Sequence, residues 1–201
     1  MSHRYFAVHK PYGYLSQFGG PSSGEVKKPL LGELHDFPAG TMATDQLEEE
    51  TEGLLLLTTN NQIGDLIRSY KTAQEYHVLV DGLIDAAAIA RLQTGVESEA
   101  YPTSSCLARR LDAGPYFPPC ARNVGDGPTS WVSITITEGN CRQVRKMTAA
   151  VGFPTLRLLR ERIGGIHLGN MQPGWVVESD DFVFWPNNEI SARTYMPDFR
   201  G

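Results

Sequence analysis

Apolar residues fall in short bursts along this chain, and the spacing within each burst predicts an element. Arg4 to His9 (RYFAVH) is apolar and is halted by Lys10, Pro11, Tyr12 and Gly13, a strand running into a turn. Gln17 to Lys28, rich in Gly, Ser and Pro, reads as a loop. Leu54 to Thr58 is a continuous apolar run of strand length, which as a strand is buried on both faces. Ile63, Leu66 and Ile67 then recur at i, i+3 and i+4 behind Asn60 and Asn61, so a short amphipathic helix starts on an Asn cap. Glu75 to Asp81 (EYHVLVD) reads as a strand, and Asp85 caps a helix that runs through Leu92 and ends near Gly95.

Further on, Trp131 to Thr137 (WVSITIT) alternates, with Val132, Ile134 and Ile136 on one face and Ser133, Thr135 and Thr137 on the other. After Glu138 and Gly139, a helix from about Arg142 sets Val144, Met147 and Val151 inward and closes at Gly152, ahead of Pro154. Strands and helices mix without a regular βαβ beat. The predicted class is therefore α+β, not a doubly wound parallel sheet.

Length and composition narrow the picture. A chain of 201 residues fits one domain, or two lobes sharing a core, and 41% hydrophobic with 20% charged residues is the balance of an ordinary globular protein. Cys106, Cys120 and Cys141 have no CxxC spacing and are odd in number, so neither a zinc site nor a disulfide framework is expected. No apolar run approaches the roughly 18 residues that cross a bilayer, and Met1 to Tyr14 lacks the apolar core of a secretory signal. A cytoplasmic protein is expected; an imported organellar protein that has lost its leader would look the same.

Charge adds a polarity that the net value of −5 hides. Between Arg142 and Arg162 lie Arg142, Arg145, Lys146, Arg157, Arg160 and Arg162 against a single acid, Glu161, whereas Asp45, Glu48, Glu49, Glu50 and Glu52 crowd one short segment. The cationic stretch is able to hold a phosphate backbone. In CRQVRKM, from Cys141 to Met147, helical spacing puts Arg142, Arg145 and Lys146 on one stripe opposite Val144 and Met147. Spacing alone fits a solvated basic face; the glycine before the helix and the strand feeding it favour cations aimed into a cleft. TEGLLLLT by itself is a bend entering a core strand, and Tyr76 by itself is a packed strand aromatic. His77 lies beside Tyr76, but the histidines show no ligand spacing, so no metal site is expected.

In order, KPYGYLSQF (Lys10 to Phe18), HDFP (His35 to Pro38), TEGLLLLT (Thr51 to Thr58), EYHV (Glu75 to Val78), PTSWVSITITEGNCRQVRKMTAAVGFPTLRLLR (Pro128 to Arg160) and the late GNMQPGWV resemble the ribosomal pseudouridine synthases of the RsuA and RluE group. The resemblance spans nearly the whole chain. It implies a pseudouridine synthase fold in one domain over residues 1–201, a mixed and largely antiparallel sheet crossed by an RNA cleft, with no S4-type RNA-binding domain in front. It also implies isomerisation of a uridine in ribosomal RNA: the C1′–N1 bond breaks, the base turns, and the bond reforms through C5, without a cofactor. The uridine is flipped out of its stack to be reached. In such enzymes an aspartate attacks C1′ or takes a proton from C2′, an arginine pairs with it, and a tyrosine lies on the base.

By motif position Arg145 matches that arginine and Tyr76 that tyrosine. The catalytic segment departs from the pattern. The family usually reads GRLD, two variable residues, then S/T-E-G; counting back from Thr51, Glu52 and Gly53, Glu48 takes the aspartate position and Gln46 the arginine position. Asn140 and Cys141 likewise stand where EGRNRQVRRM is usual. Lys10, Gln46, Arg142 and Lys146 are the residues expected to contact RNA. Two readings stand: an active synthase that uses Glu48, and a non-catalytic relative that binds RNA or a ribosomal precursor as an assembly factor. Ribosomal RNA is the expected partner, and a monomer the expected state.

Overall fold

The computed structural model describes residues 3–19, 28–69, 72–97, 102–115, 126–140, 142–179, 182 and 193–195. The chain divides into two compact units, residues 1–72 with 163–201, and residues 73–162.

The first unit holds β1 (Tyr5–Lys10), a short 3-10 turn at Leu31–Glu33, β2 (Met42–Ala43), β3 (Thr51–Thr58) and α1 (Asn61–Ser69). The second holds β4 (Gln74–Asp81), α2 (Ala86–Thr94), β5 (Leu107–Leu111), β6 (Thr129–Ile136), α3 (Gln143–Ala150) and β7 (Thr155–Ile163) up to Arg162. The chain then returns to the first unit with β8 (Ile166–His167), β9 (Val176–Ser179) and β10 (Arg193–Tyr195). The expected α+β class is what forms.

In the first unit the strand order is β10-β9-β1-β3, with β2 also on β3. β1 and β3 are antiparallel, with Phe6 opposite Leu57, Val8 opposite Leu55 and Lys10 opposite Gly53. Every residue of β3 is buried, as the unbroken leucine run predicts. The strand starts three residues earlier than the leucines, because Gly53 continues it at φ +104°, a backbone conformation that costs a residue with Cβ dearly. Phe6, Val8, Leu31, Leu47, Leu55, Leu57 and Val176 make the core of this unit. The Asn cap of α1 forms as expected: Asn60 Oδ1 accepts from the Gln62 and Ile63 N–H groups at 3.1 and 3.4 Å.

In the second unit the strand order is β7-β4-β6-β5. β4 pairs antiparallel with β6, and β6 with β5. One face of these strands buries Tyr76, Val78, Val80, Val132, Ile134 and Ile136 together with Ala88 and Leu92 of α2 and Val144 and Met147 of α3. The alternation read for Trp131 to Thr137 is therefore correct in its buried face. Asp85 caps α2 by accepting from the Ala88 N–H at 2.7 Å, and Gly95 ends the helix.

Six strands, β2, β5, β7, β8, β9 and β10, escape the sequence reading. β7 (TLRLLRERI) buries Arg157 and Arg160 among its leucines, and cations at buried positions break the apolar run by which a core strand is recognised. β5 (LARRL) exposes Leu107, and β9 is short. Cys120, Cys141 and most of the Gln17–Lys28 loop lie outside the described residues.

Candidate active site

The acidic segment of the first unit is a loop whose backbone is fixed from one side. Lys10, at the end of β1, is fully buried, and its Nζ donates to the carbonyls of Pro11, Tyr14 and Glu49 at 3.0, 2.7 and 3.2 Å. The Gly13 N–H donates to the same Glu49 carbonyl at 2.9 Å. Two residues earlier, Ser16 Oγ donates to the Leu47 carbonyl at 2.8 Å and accepts from the Leu47 N–H at 3.2 Å. The Leu47 side chain enters the core, and the Thr51 N–H closes a turn on the Glu48 carbonyl at 3.0 Å. Both neighbours of Glu48 are thus held by backbone groups, while the Glu48 side chain stays half-buried and Gln46 is exposed.

Burial pulls the Lys10 ammonium down to about 8, against the opposing pull of the Glu52 and Glu49 carboxylates. Glu52 is itself buried, on β3. The acid cluster is therefore not one solvated face: Glu52 serves the interior beside Lys10, and Glu48 is a carboxylate presented by a loop.

In the second unit the basic segment divides in a similar way. Arg142 precedes α3 in the left-handed conformation, φ 54° and ψ 24°, with an exposed side chain. A non-glycine residue there is strained, and such strain collects at ligand-handling sites. Arg145 is buried at 9% exposure, and Lys146 is half-buried. The single stripe expected from spacing is corrected by this placement, because the helix starts at Gln143 and Arg142 leaves its cylinder. Gln143, also buried, fastens the preceding loop: its Nε2 donates to Glu138 Oε2 at 2.7 Å and its Oε1 accepts from the Asn140 N–H at 3.4 Å. Ser104 Oγ donates to the other Glu138 oxygen.

Tyr76 packs in the core of this unit, its hydroxyl donating to Gln74 Oε1 at 2.7 Å. Arg160 Nη1 donates to the same Gln74 oxygen at 3.2 Å. On the opposite parity of β4, Glu75 accepts from Ser133 Oγ at 2.7 Å and Arg162 Nε at 3.0 Å, with His77 Nε2 at 3.6 Å and Arg109 Nη2 at 3.7 Å. Burial pushes the Glu75 carboxyl up, but Ser133, Arg162 and His77 together bring it below the ordinary glutamate range. Burial likewise holds the His77 imidazole below its ordinary value, against the opposing pull of Glu75. Among the described residues no cluster of His, Cys, Asp and Glu is arranged to hold a metal ion.

A family model described as RNA pseudouridylate synthase matches residues 4–150. The chain belongs to the RNA pseudouridylate synthase family. A ribosomal large subunit pseudouridine synthase E from Xanthomonas campestris pv. campestris is 38% identical over 177 residues, covering 85% of this chain and 93% of that protein. One of the same name from Vibrio parahaemolyticus is 36% identical, covering 83% of this chain and 69% of its own. Among solved structures, a pseudouridylate synthase superposes with a TM-score of 0.70 at 24% identity, over 87% of this chain and 69% of that one. Human RNA Pseudouridylate Synthase Domain Containing 1 superposes at 0.52 and 16% identity, over 80% and 74%. These structures share the pseudouridylate synthase fold.

Within that family the expected site residues are placed unequally. Glu48 lies on the clamped loop of the first unit, and Tyr76 and Arg145 lie in the core of the second. Gln46 and Arg142 are exposed and Lys146 is half-buried. Lys10 is buried, with its ammonium engaged by three carbonyls, and staples the loop. Gln74, Gln143 and Arg160 were not predicted from the sequence. Strand alternation puts Gln74 on the Tyr76 side of β4; Arg160 stands in the sequence as one cation of the Arg142–Arg162 stretch, and nothing local marks it for burial.

Proposed function

We propose that this pseudouridylate synthase converts a uridine of large-subunit ribosomal RNA to pseudouridine in the cytoplasm, acting as a monomer on RNA or on a precursor particle. Glu48 takes the part of the reactive carboxylate, Tyr76 that of the tyrosine lying on the base, and Arg145 that of the paired arginine. These roles rest on motif position.

The observation that carries the reading is the clamp around Glu48. Its neighbours Leu47 and Glu49 are held through backbone atoms, by Lys10, Gly13 and Ser16, which fixes the stretch of chain from which the Glu48 carboxylate projects. Glutamate sets its carboxylate about one C–C bond, ~1.5 Å, farther out than aspartate. A misplacement of about 1 Å is able to cost on the order of a hundredfold in rate, so the pocket has to be matched to the longer acid. From there the carboxylate either attacks C1′ and expels N1, after which C5 of the turned base bonds to C1′ and displaces the carboxylate, or it takes the C2′ proton as the C1′–N1 bond breaks and returns it to C2′ as C5 bonds to C1′. The C5 proton is then lost, and N1 is protonated.

Electrostatics support the RNA side. A helix N-terminus favours negative charge, yet the first turn of α3 has no acid and carries Arg145 and Lys146 behind Arg142. That placement is unfavourable for the helix alone and favourable once a phosphate is near.

Incubating the native protein with unmodified large-subunit ribosomal RNA and mapping pseudouridine tests the reading. Turnover is expected in the native protein, with a loss of about 10²–10⁴ in Glu48→Gln and RNA binding retained. RNA bound without pseudouridine, both in the native protein and in Glu48→Asp, leaves a binding protein and no enzyme.

A further inference from the structure

We propose that Gln74 is a positioning residue for Tyr76, locked by Arg160; the inference rests on the assignment of Tyr76 to the reaction. Gln74 and Tyr76 are two residues apart on β4, and the tyrosine hydroxyl donates to Gln74 Oε1 at 2.7 Å. Arg160, on the neighbouring strand β7 and only 1% exposed, donates its Nη1 to the same oxygen at 3.2 Å. Two donors on one amide oxygen settle which way the amide faces and use both of its lone pairs.

A buried tyrosine needs some acceptor for its hydroxyl, and satisfaction alone is the simplest account. The expense of the arrangement argues for more. Phenylalanine would fill the same core position with no polar atom to satisfy. Here an amide and a guanidinium are instead taken out of water, and burying a charge is costly unless it is paired and hydrogen-bonded. What the network yields is geometric: the phenol hydrogen is committed away from the base, and the far end of the ring is pinned between two strands. A ring that must lie against a flipped uracil gains from that pinning, since placement errors of an ångström are felt in rate.

Single-turnover pseudouridine formation and RNA affinity, measured on the same protein preparations, test this. Gln74→Met is expected to slow turnover about 10- to 100-fold with RNA affinity unchanged. Gln74→Glu keeps the acceptor and is expected to stay near the native rate. In a Tyr76→Phe background Gln74→Met is expected to add no further loss, because the two changes remove the same contact. Native-like turnover in Gln74→Met, equal losses of rate and affinity, or an additive double variant would overturn the role of Gln74. Tyr76→Leu separates that failure from the other: turnover lost in Tyr76→Leu but kept in Gln74→Met removes Gln74 alone. Turnover that survives Tyr76→Leu, or is absent from the native protein, removes Tyr76 and Gln74 together.

Discussion

The loop that carries Glu48 and the loop that leads into α3 both adjoin an apolar strand and carry charged residues, yet they are built on opposite terms. The first is held mainly through its backbone: Lys10, Gly13 and Ser16 engage carbonyl and N–H groups of Leu47 and Glu49, while the Glu49 side chain pairs with Lys28 at 2.8 Å, at the surface. The second is held through side chains, with Gln143 bridging Glu138 and the Asn140 N–H, and Ser104 on Glu138. A loop fixed by its backbone tolerates exchange of side chains, whereas one fixed by side chains does not.

The contrast is open to direct attack. Lys10→Met should do the most damage, leaving the Pro11, Tyr14 and Glu49 carbonyls short of a donor at a cost of about 2–3 kcal/mol, read as a lower midpoint in denaturant. Gln143→Ala is expected to cost less, about 1–2 kcal/mol, by releasing one loop from Glu138 and Asn140. A larger loss in Gln143→Ala than in Lys10→Met would reverse the ranking of the two loops. Smallest of the stability effects is Gln46→Arg with Glu48→Asp, expected within about 0.5 kcal/mol of the native protein. A clear destabilisation there would show that the acidic side chains, and not the backbone clamp, define the first loop.

Titration sharpens the same point. The Lys10 ammonium is held near 8 in the fold and returns to its ordinary 10.5 when the chain unfolds. Between those values the unfolded chain binds the extra proton, so the Lys10 contribution makes stability rise with pH from about 8 to 10.5. Below 8 both states are charged and the contribution is flat. Denaturant midpoints across that range should show the rise in the native protein and lose it in Lys10→Met. On the RNA side, Arg142→Glu with Lys146→Glu is expected to reduce the steepness of log affinity against log salt by about 1.4–1.8 if each cation covers one phosphate. An unchanged slope would take both residues out of the interface.

Local pattern alone determined much of this protein. The leucine run of β3, the alternation of β6 and the caps at Asn60 and Asp85 depend on neighbours a few residues apart, and they appear where periodicity puts them. The motif order was also enough to place the chain in its family. Tertiary structure decided which member of each charged run goes inside. Nothing near Lys10 in sequence shows that Glu49, 39 residues later, brings a carbonyl to it, nor does anything near Gln74 show that Arg160, 86 residues on, shares its oxygen. Lysine and arginine ordinarily face water, and only a ready set of acceptors makes burial affordable. Those acceptors are assembled by strand pairing and loop docking across the fold, so the roles of Lys10, Arg160 and Gln74 exist only once the chain has closed.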